Sequence, residues 1–437
     1  MANDKDFTLK DGIEVGGSTK NTVGTISASN AVDLSTGNFF THTPEGATTY
    51  SFTNPGAVQS FQMQLTGGQE AVASAFNTSL YTGTGSSQDV TTGIDLSGSN
   101  EGLVWIKKRG DGSTYDHNLF DTVRGATKWL KSNDTDAEGT RSTGLSAFNS
   151  NGFTEGGSGW TGENGKNFVA WTWKSTSKFF DVVTYTGNGT ARAISHNLGS
   201  VPGMVVFKNR SSTYGWQVYH RGMANDRRLE WDDPGSASSS VGWWDQTTPV
   251  TSSVLNIGTD AHVNNNGNNY VAYLFGHETD SDSMIQCGSY TGNGSSTGPT
   301  VTLGWQPQWL MIKSASDTNQ DWYIIDTVRG FVSGGNDALL RANTTANEAT
   351  GVARVNPLST GFQIATSDAS FNQNNASYIY VAIRSAASTA VTWPNSVKFQ
   401  GGTAPQTPAL GEVDTYTFTT RDGGTSYIGV QSGNNHS

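Results

Sequence analysis

Apolar residues in this chain fall in short runs, or alternate with polar ones as at Phe61, Met63 and Leu65. Glycine breaks the pattern at close intervals, so it predicts half-buried strands joined by tight turns. Longer apolar runs close on a lysine at three places, Leu103 to Lys107, Met204 to Lys208 and Trp309 to Lys313. Each follows a Tyr-Thr-Gly-x-Gly motif, and the motifs begin 104 and then 105 residues apart, at Tyr81, Tyr185 and Tyr290. A second strand pattern then meets an Arg-Gly pair, at Arg124, Arg221 and Arg329. Each copy ends on an apolar strand, with Val169-Ala170-Trp171, Val271-Ala272-Tyr273 and Val381-Ala382-Ile383 read in register.

A repeat of about 100 residues made of short strands has the size of one β-sandwich and exceeds a solenoid turn or propeller blade. The predicted fold class is therefore all-β, with tandem β-sandwiches at residues 72–178, 179–280 and 281–388. Residues 31–68 and 389–437 share no motif with the repeats, and each is short for a core of its own. They are read as two halves of one discontinuous base sandwich, with the repeats inserted at a loop tip. Residues 1–30 are strand fragments with glycine breaks, expected to anchor or oligomerise against a partner.

Composition narrows the function. Hydrophobic residues make up 34% of the 437 and charged residues only 14%, while 13 Trp, 14 Tyr and 19 Phe supply bulk for sandwich cores. The formal net charge is −11 and no basic cluster occurs, which argues against nucleic-acid binding. Cys287 is the single cysteine, so an intramolecular disulfide and a cysteine zinc cage are excluded and a small buried role is expected. Met1 to Asp6 lead into no apolar secretion core, and no run approaches the ~18 apolar residues of a membrane helix. Membrane insertion is not expected, and release from the producing cell would be by lysis or a non-standard exporter.

The framing segments carry Asp33-Leu34-Ser35-Thr36-Gly37-Asn38, Trp393-Pro394-Asn395-Ser396-Val397-Lys398, Gly401-Gly402-Thr403-Ala404-Pro405 and Asp422-Gly423-Gly424-Thr425. They resemble a module of virion structural and tail-fibre-like proteins of marine tailed phages. The inserted copies, with Asp121-Thr122-Val123-Arg124-Gly125 and Asp326-Thr327-Val328-Arg329-Gly330, resemble a phage domain of unknown function. That resemblance implies a lectin-like jelly roll and a particle component, and names no ligand. The second copy departs from the pattern, since no Asp-Thr-Val leads into Arg221.

Catalytic signals are weak. None of the seven histidines forms a His-x-x-x-His pair, and no nucleophile elbow, phosphate loop or calcium loop occurs. No catalytic residue, cofactor or metal site is assigned, although glycosidase carboxylates leave no sequence signature and a polysaccharide depolymerase stays open. Tyr-Thr-Gly-x-Gly reads as a strand-ending turn with glycine at positive φ. Arg124, Arg221 and Arg329 read as partly buried guanidinium groups tying a loop to backbone carbonyls or to an aspartate such as Asp121 or Asp326, with the grip on an acidic glycan as the competing reading. Trp231, Trp243, Trp244 and Asp245 are the candidate sugar contacts, because indole faces stack on sugar C–H surfaces beside a hydroxyl acceptor.

The expected role is a non-enzymatic virion surface protein, foremost a tail-fibre-like adhesin for host glycan, with a capsid decoration protein or head fibre as the alternative. Other virion proteins and a homotrimer are the expected partners.

Overall fold

The computed structural model describes residues 23–24, 26–27, 30–42, 48–66, 71–110, 114–280, 283–386, 391–399, 402, 405 and 413–433. Most of the segment read as anchoring strands, 1–30, and of Gly401 to Pro405 lies outside these residues. The chain divides into two compact units, residues 1–70 with 387–437 and residues 71–386.

In the first unit both ends of the chain share one sheet. Strand Gln59–Thr66 pairs antiparallel with Val413–Thr420, and the sheet continues to Phe39–His42 on one side and to Tyr427–Gly433 and Val397–Phe399 on the other. Alternation drives this. Phe61, Met63 and Leu65 turn inward with Tyr416, Phe418 and Tyr427, and Phe40, Tyr50 and Val32 close the core.

In the second unit the all-β architecture repeats three times. Each copy forms a large sheet in which its first strand pairs with its last, and the last with the lysine-ending strand. These trios are Phe76–Thr82, Asn167–Lys174 and Gly102–Gly110; Phe180–Thr186, Asn269–Phe275 and Met204–Asn209; and Ile285–Thr291, Ser377–Arg384 and Pro307–Ser314. A smaller sheet covers one face, and each sandwich has a private core, centred on Phe153, Trp244 and Phe362 in turn. The copies nonetheless do not stand apart like beads. The other face of each large sheet enters one apolar core common to all three, and it holds Trp105, Trp171 and Trp173 with Trp216, Tyr273, Trp309 and Trp322.

Strand pairing sets the register between copies. Leu103, Met204 and Trp309 are equivalent, as are Trp105, Val206 and Met311. Trp171 and Tyr273 match Val381, not Ile383, so the third copy's last strand sits two residues from the register read above. An even offset keeps the same face inward.

The glycine motif is a clasp. The hydroxyls of Tyr81, Tyr185 and Tyr290 donate to the carbonyls of Thr161, Val263 and Phe371 at 2.5, 2.7 and 2.8 Å, tying the first strand to the connection before the last one, which holds a short helix in the second and third copies. Its second glycine (Gly85, Gly189, Gly294) has φ of 71°, 73° and 68°, and a Cβ on its first (Gly83, Gly187, Gly292) would press into the backbone of that same connection.

Candidate functional site

The groups singled out in the sequence gather where the copies meet, and the same contacts recur around a closed circle. Lys107, Lys208 and Lys313 are fully buried. Each sends its ammonium into the neighbouring copy: Lys107 to the Thr345 carbonyl at 3.3 Å, Lys208 to that of Thr135 at 2.8 Å, and Lys313 to that of Gly235 at 2.8 Å. Burial pulls all three amines down to about 8. One position further round, ring nitrogens of His117, Trp216 and Trp322 meet the carbonyls of Arg341, Lys131 and Glu230 at 3.0, 2.7 and 2.8 Å. The first copy thus reaches the third, the third the second, and the second the first.

Two junctions add a chain of charge. Arg124 is buried against Asp121 and continues to Glu138 of its own copy at 3.2 Å, and Glu138 pairs with Arg210 of the second copy at 2.8 Å. In the third copy Arg329 pairs with Asp326 at 2.6 Å and Glu348 at 3.1 Å, and Glu348 pairs with Arg109 of the first copy at 2.7 Å. A neighbour's last strand seals each pair: Tyr273 donates to Asp121 at 2.8 Å and Trp171 to Asp326 at 2.9 Å. Burial opposes the charge on Glu138, but Arg210 and Arg124 outweigh it and hold the carboxyl below its ordinary value.

Arg221 takes no part in this. The strand register puts His220 at the place of Asp121 and Asp326. Met223 therefore holds the arginine's place, and Arg221 lies exposed at that of Thr122 and Thr327. Counting four residues from Trp216, as His117 leads to Asp121 and Trp322 to Asp326, finds His220 in the sequence; matching the Arg-Gly pair does not.

The four candidate sugar contacts do not form a platform. Trp231 is fully buried in the common core, 4.9 Å from Trp105 and 5.5 Å from Trp216. Trp243 and Trp244 are 7% and 4% exposed. The stretch that carries them bridges Ile257 beside the short second sheet, which turns both indoles inward. Arg228 covers Trp243 at 3.9 Å. Asp245 is exposed, and its carboxylate accepts the Thr247 and Thr248 N–H groups as a turn cap.

A polar cavity of about 140 Å³ opens beside Glu230, Asp233 and Ser238. Burial lifts the nearby Asp232 carboxyl to about 6, but that group caps the Trp216 N–H at 2.6 Å, a task done in the other copies by uncharged Asn133 and Asn343. Among the described residues no three His, Cys, Asp or Glu side chains gather closely enough to hold a metal ion, and no helix is long and apolar enough to cross a membrane.

The model of a domain of unknown function, DUF7483, matches residues 72–386, the span of the three interlocked copies. The chain belongs to the DUF7483 family. No curated protein matches this DUF7483 chain. Among solved structures, the crystal structure of the STIV MCP is similar at 11% identity, over 47% of this chain and 95% of that one, with a TM-score of 0.16 that carries no argument about fold or role.

Proposed function

We propose that this DUF7483 protein is a non-enzymatic structural protein of a phage particle, displayed on its surface as a tail-fibre-like adhesin for host cell-surface glycan. One observation supports the reading above all others: the buried ionisable groups that recur among the copies are used up in holding three sandwiches together. Chemistry is thereby spent on rigidity, while the outward loops differ from copy to copy. A stiff body with divergent loops suits display and recognition. Contact with other virion proteins and a homotrimer built on the terminal strands belong to the same proposal.

Purified, fluorescently labelled protein should adsorb to susceptible bacteria and compete with infection by the particles that carry it. Absence of adsorption across susceptible hosts sinks the adhesin reading. A location on the capsid shell in many copies, seen by imaging the particles, would make it a decoration protein instead.

A further inference from the structure

Ten of the twelve tryptophans in residues 71–386 are buried; the two that are only half-buried, Trp129 and Trp160, are neighbours. Their ring centroids lie 5.7 Å apart, and Tyr115 stands edge-on to Trp160 at 6.5 Å. The Arg141 guanidinium lies over both indoles, at 4.4 and 3.9 Å. This cluster belongs to the first copy alone. The strand register gives Arg228 and Leu339 at the place of Trp129, and the second copy's own stack of Arg228 on Trp243 is shut by burial.

About the loop that carries Trp160 lie polar atoms without partners. Asn118 and Glu155 are fully buried, and the Asn118 Oδ1, the Glu155 Oε1 and the Arg141 Nη1 have no hydrogen-bond partner. All three side chains converge on the loop that carries Trp160. The Asn118 amide donates toward the Trp160 carbonyl at 3.5 Å, Glu155 accepts the Gly157 N–H at 2.7 Å, and Arg141 covers the indole. That loop is pinned by the Tyr81 hydroxyl on the Thr161 carbonyl, so it is held in place before any ligand arrives. Unmet buried donors and acceptors are costly, and three of them gathered about one loop beside two half-buried indoles mark a place where a ligand supplies missing bonds.

We infer that this face of the first copy is a binding site for a neutral saccharide. Indole faces take the C–H side of a pyranose, and the unmet donor and acceptors match its hydroxyls, which both give and accept hydrogen bonds. Charge disfavours an acidic sugar. Lys131 is already held by Asp116, Asp134 and Asp136, and Lys108 by Glu163, which leaves Arg141 and Lys128, the latter on the Thr140 hydroxyl, as the cations beside a set of carboxylates. The inference rests on the adhesin reading and gives it a site and a ligand class.

The test titrates the full chain with neutral oligosaccharides of hexoses and N-acetylhexosamines and with matched uronic-acid oligosaccharides, followed by tryptophan fluorescence and calorimetry. A neutral sugar should bind and shift the emission, and Trp160→Ala should weaken it at least tenfold, with Trp160→Tyr recovering part of the loss at unchanged melting temperature. If the chain binds a neutral sugar and both Trp160→Ala and Arg141→Gln leave the affinity untouched, the site is wrong and the adhesin reading survives. Preference for the acidic series overturns the ligand class. Adsorption to cells with no sugar bound in either series overturns the inference as a whole, whereas failure to adsorb removes the adhesin reading beneath it.

Discussion

The junction between the first and second copies and that between the second and third differ in kind while sharing one backbone geometry. In both, a backbone N–H of one copy meets a carbonyl of the next, Glu138 to Arg210 and Ala237 to Ala315, at 2.9 and 2.8 Å. The first junction wraps that bond in Asp121, Arg124, Glu138 and Arg210. The second has His220, Met223, Ala237 and Ala315 at the same places, and His220 reaches the Tyr380 carbonyl at 3.1 Å. All four charges are absent together. A partial set would leave a buried charge without its partner, and that is worse than either complete solution. The difference teaches that the second copy's departure from the Asp-Thr-Val-Arg motif is a coordinated replacement.

The largest effect is therefore expected from breaking one member of a charged junction. Arg124→Met, which copies the second copy's residue, leaves the buried Asp121 with no cation, only the Tyr273 hydroxyl and the backbone N–H of residue 124, and should cost about 3–5 kcal/mol in urea unfolding of residues 71–386. Replacing all four residues by the apolar junction's set should cost less than that single change. A larger loss for the fourfold variant would show that the two junctions are not alternative solutions.

Next comes pH. One hydrogen bond requires His220 to be neutral: its Nδ1 accepts the Gly222 N–H at 3.0 Å, while Nε2–H donates to the Tyr380 carbonyl in either form. Burial drives its pKa down to about 3 from an ordinary 6.5. Between those values the unfolded chain holds the extra proton, so this contribution to stability is complete above pH 6.5 and is lost as pH falls toward 3. His220→Gln should flatten that acid limb by up to one proton, about 1.4 kcal/mol per pH unit. On the alkaline side the buried lysines, at about 8 against 10.5 when exposed, make stability rise with pH between those values. Lys208→Met should reduce that slope and leave the others; an unchanged slope would mean that its carbonyl cradle keeps the amine charged.

The clasp gives the smallest effects, and they are graded. Gly83→Ala drives a Cβ into the backbone of Gly162 and Glu163 and should cost more than Gly98→Ala, where φ is 62° and nothing lies within 4 Å. The latter should cost about 1 kcal/mol, the ordinary penalty of a left-handed non-glycine residue, by thermal melting.

Much of this was legible from local pattern. The three copies, the strand alternation and the positive-φ glycines depend on neighbours in sequence, and the structure contains sheets at those places. What stayed hidden depends on partners from another copy. The lysine closing each apolar run is visible in the sequence, yet its acceptor is a carbonyl in a different repeat. Trp231 and Trp243-Trp244 sit among Gly, Asp and Pro as loop residues do, and nothing local tells that neighbouring strands cover them. Trp129 and Trp160 have no motif at all, and only the burial of the other indoles sets them apart.

The common core also fixes the order of the copies. Its equivalent positions carry side chains of unequal size: Leu103, Met204 and Trp309 in one set, Trp105, Val206 and Met311 in another, Trp173, Phe275 and Ile383 in a third. In the first two sets the indole lies where its counterparts are aliphatic or thioether side chains, so the repeats are keyed to one another. A gene with two repeats exchanged would keep every motif and still crowd indoles in one place while leaving a void in another. Duplication made three alike modules; size complementarity has since made them parts that fit in a single sequence.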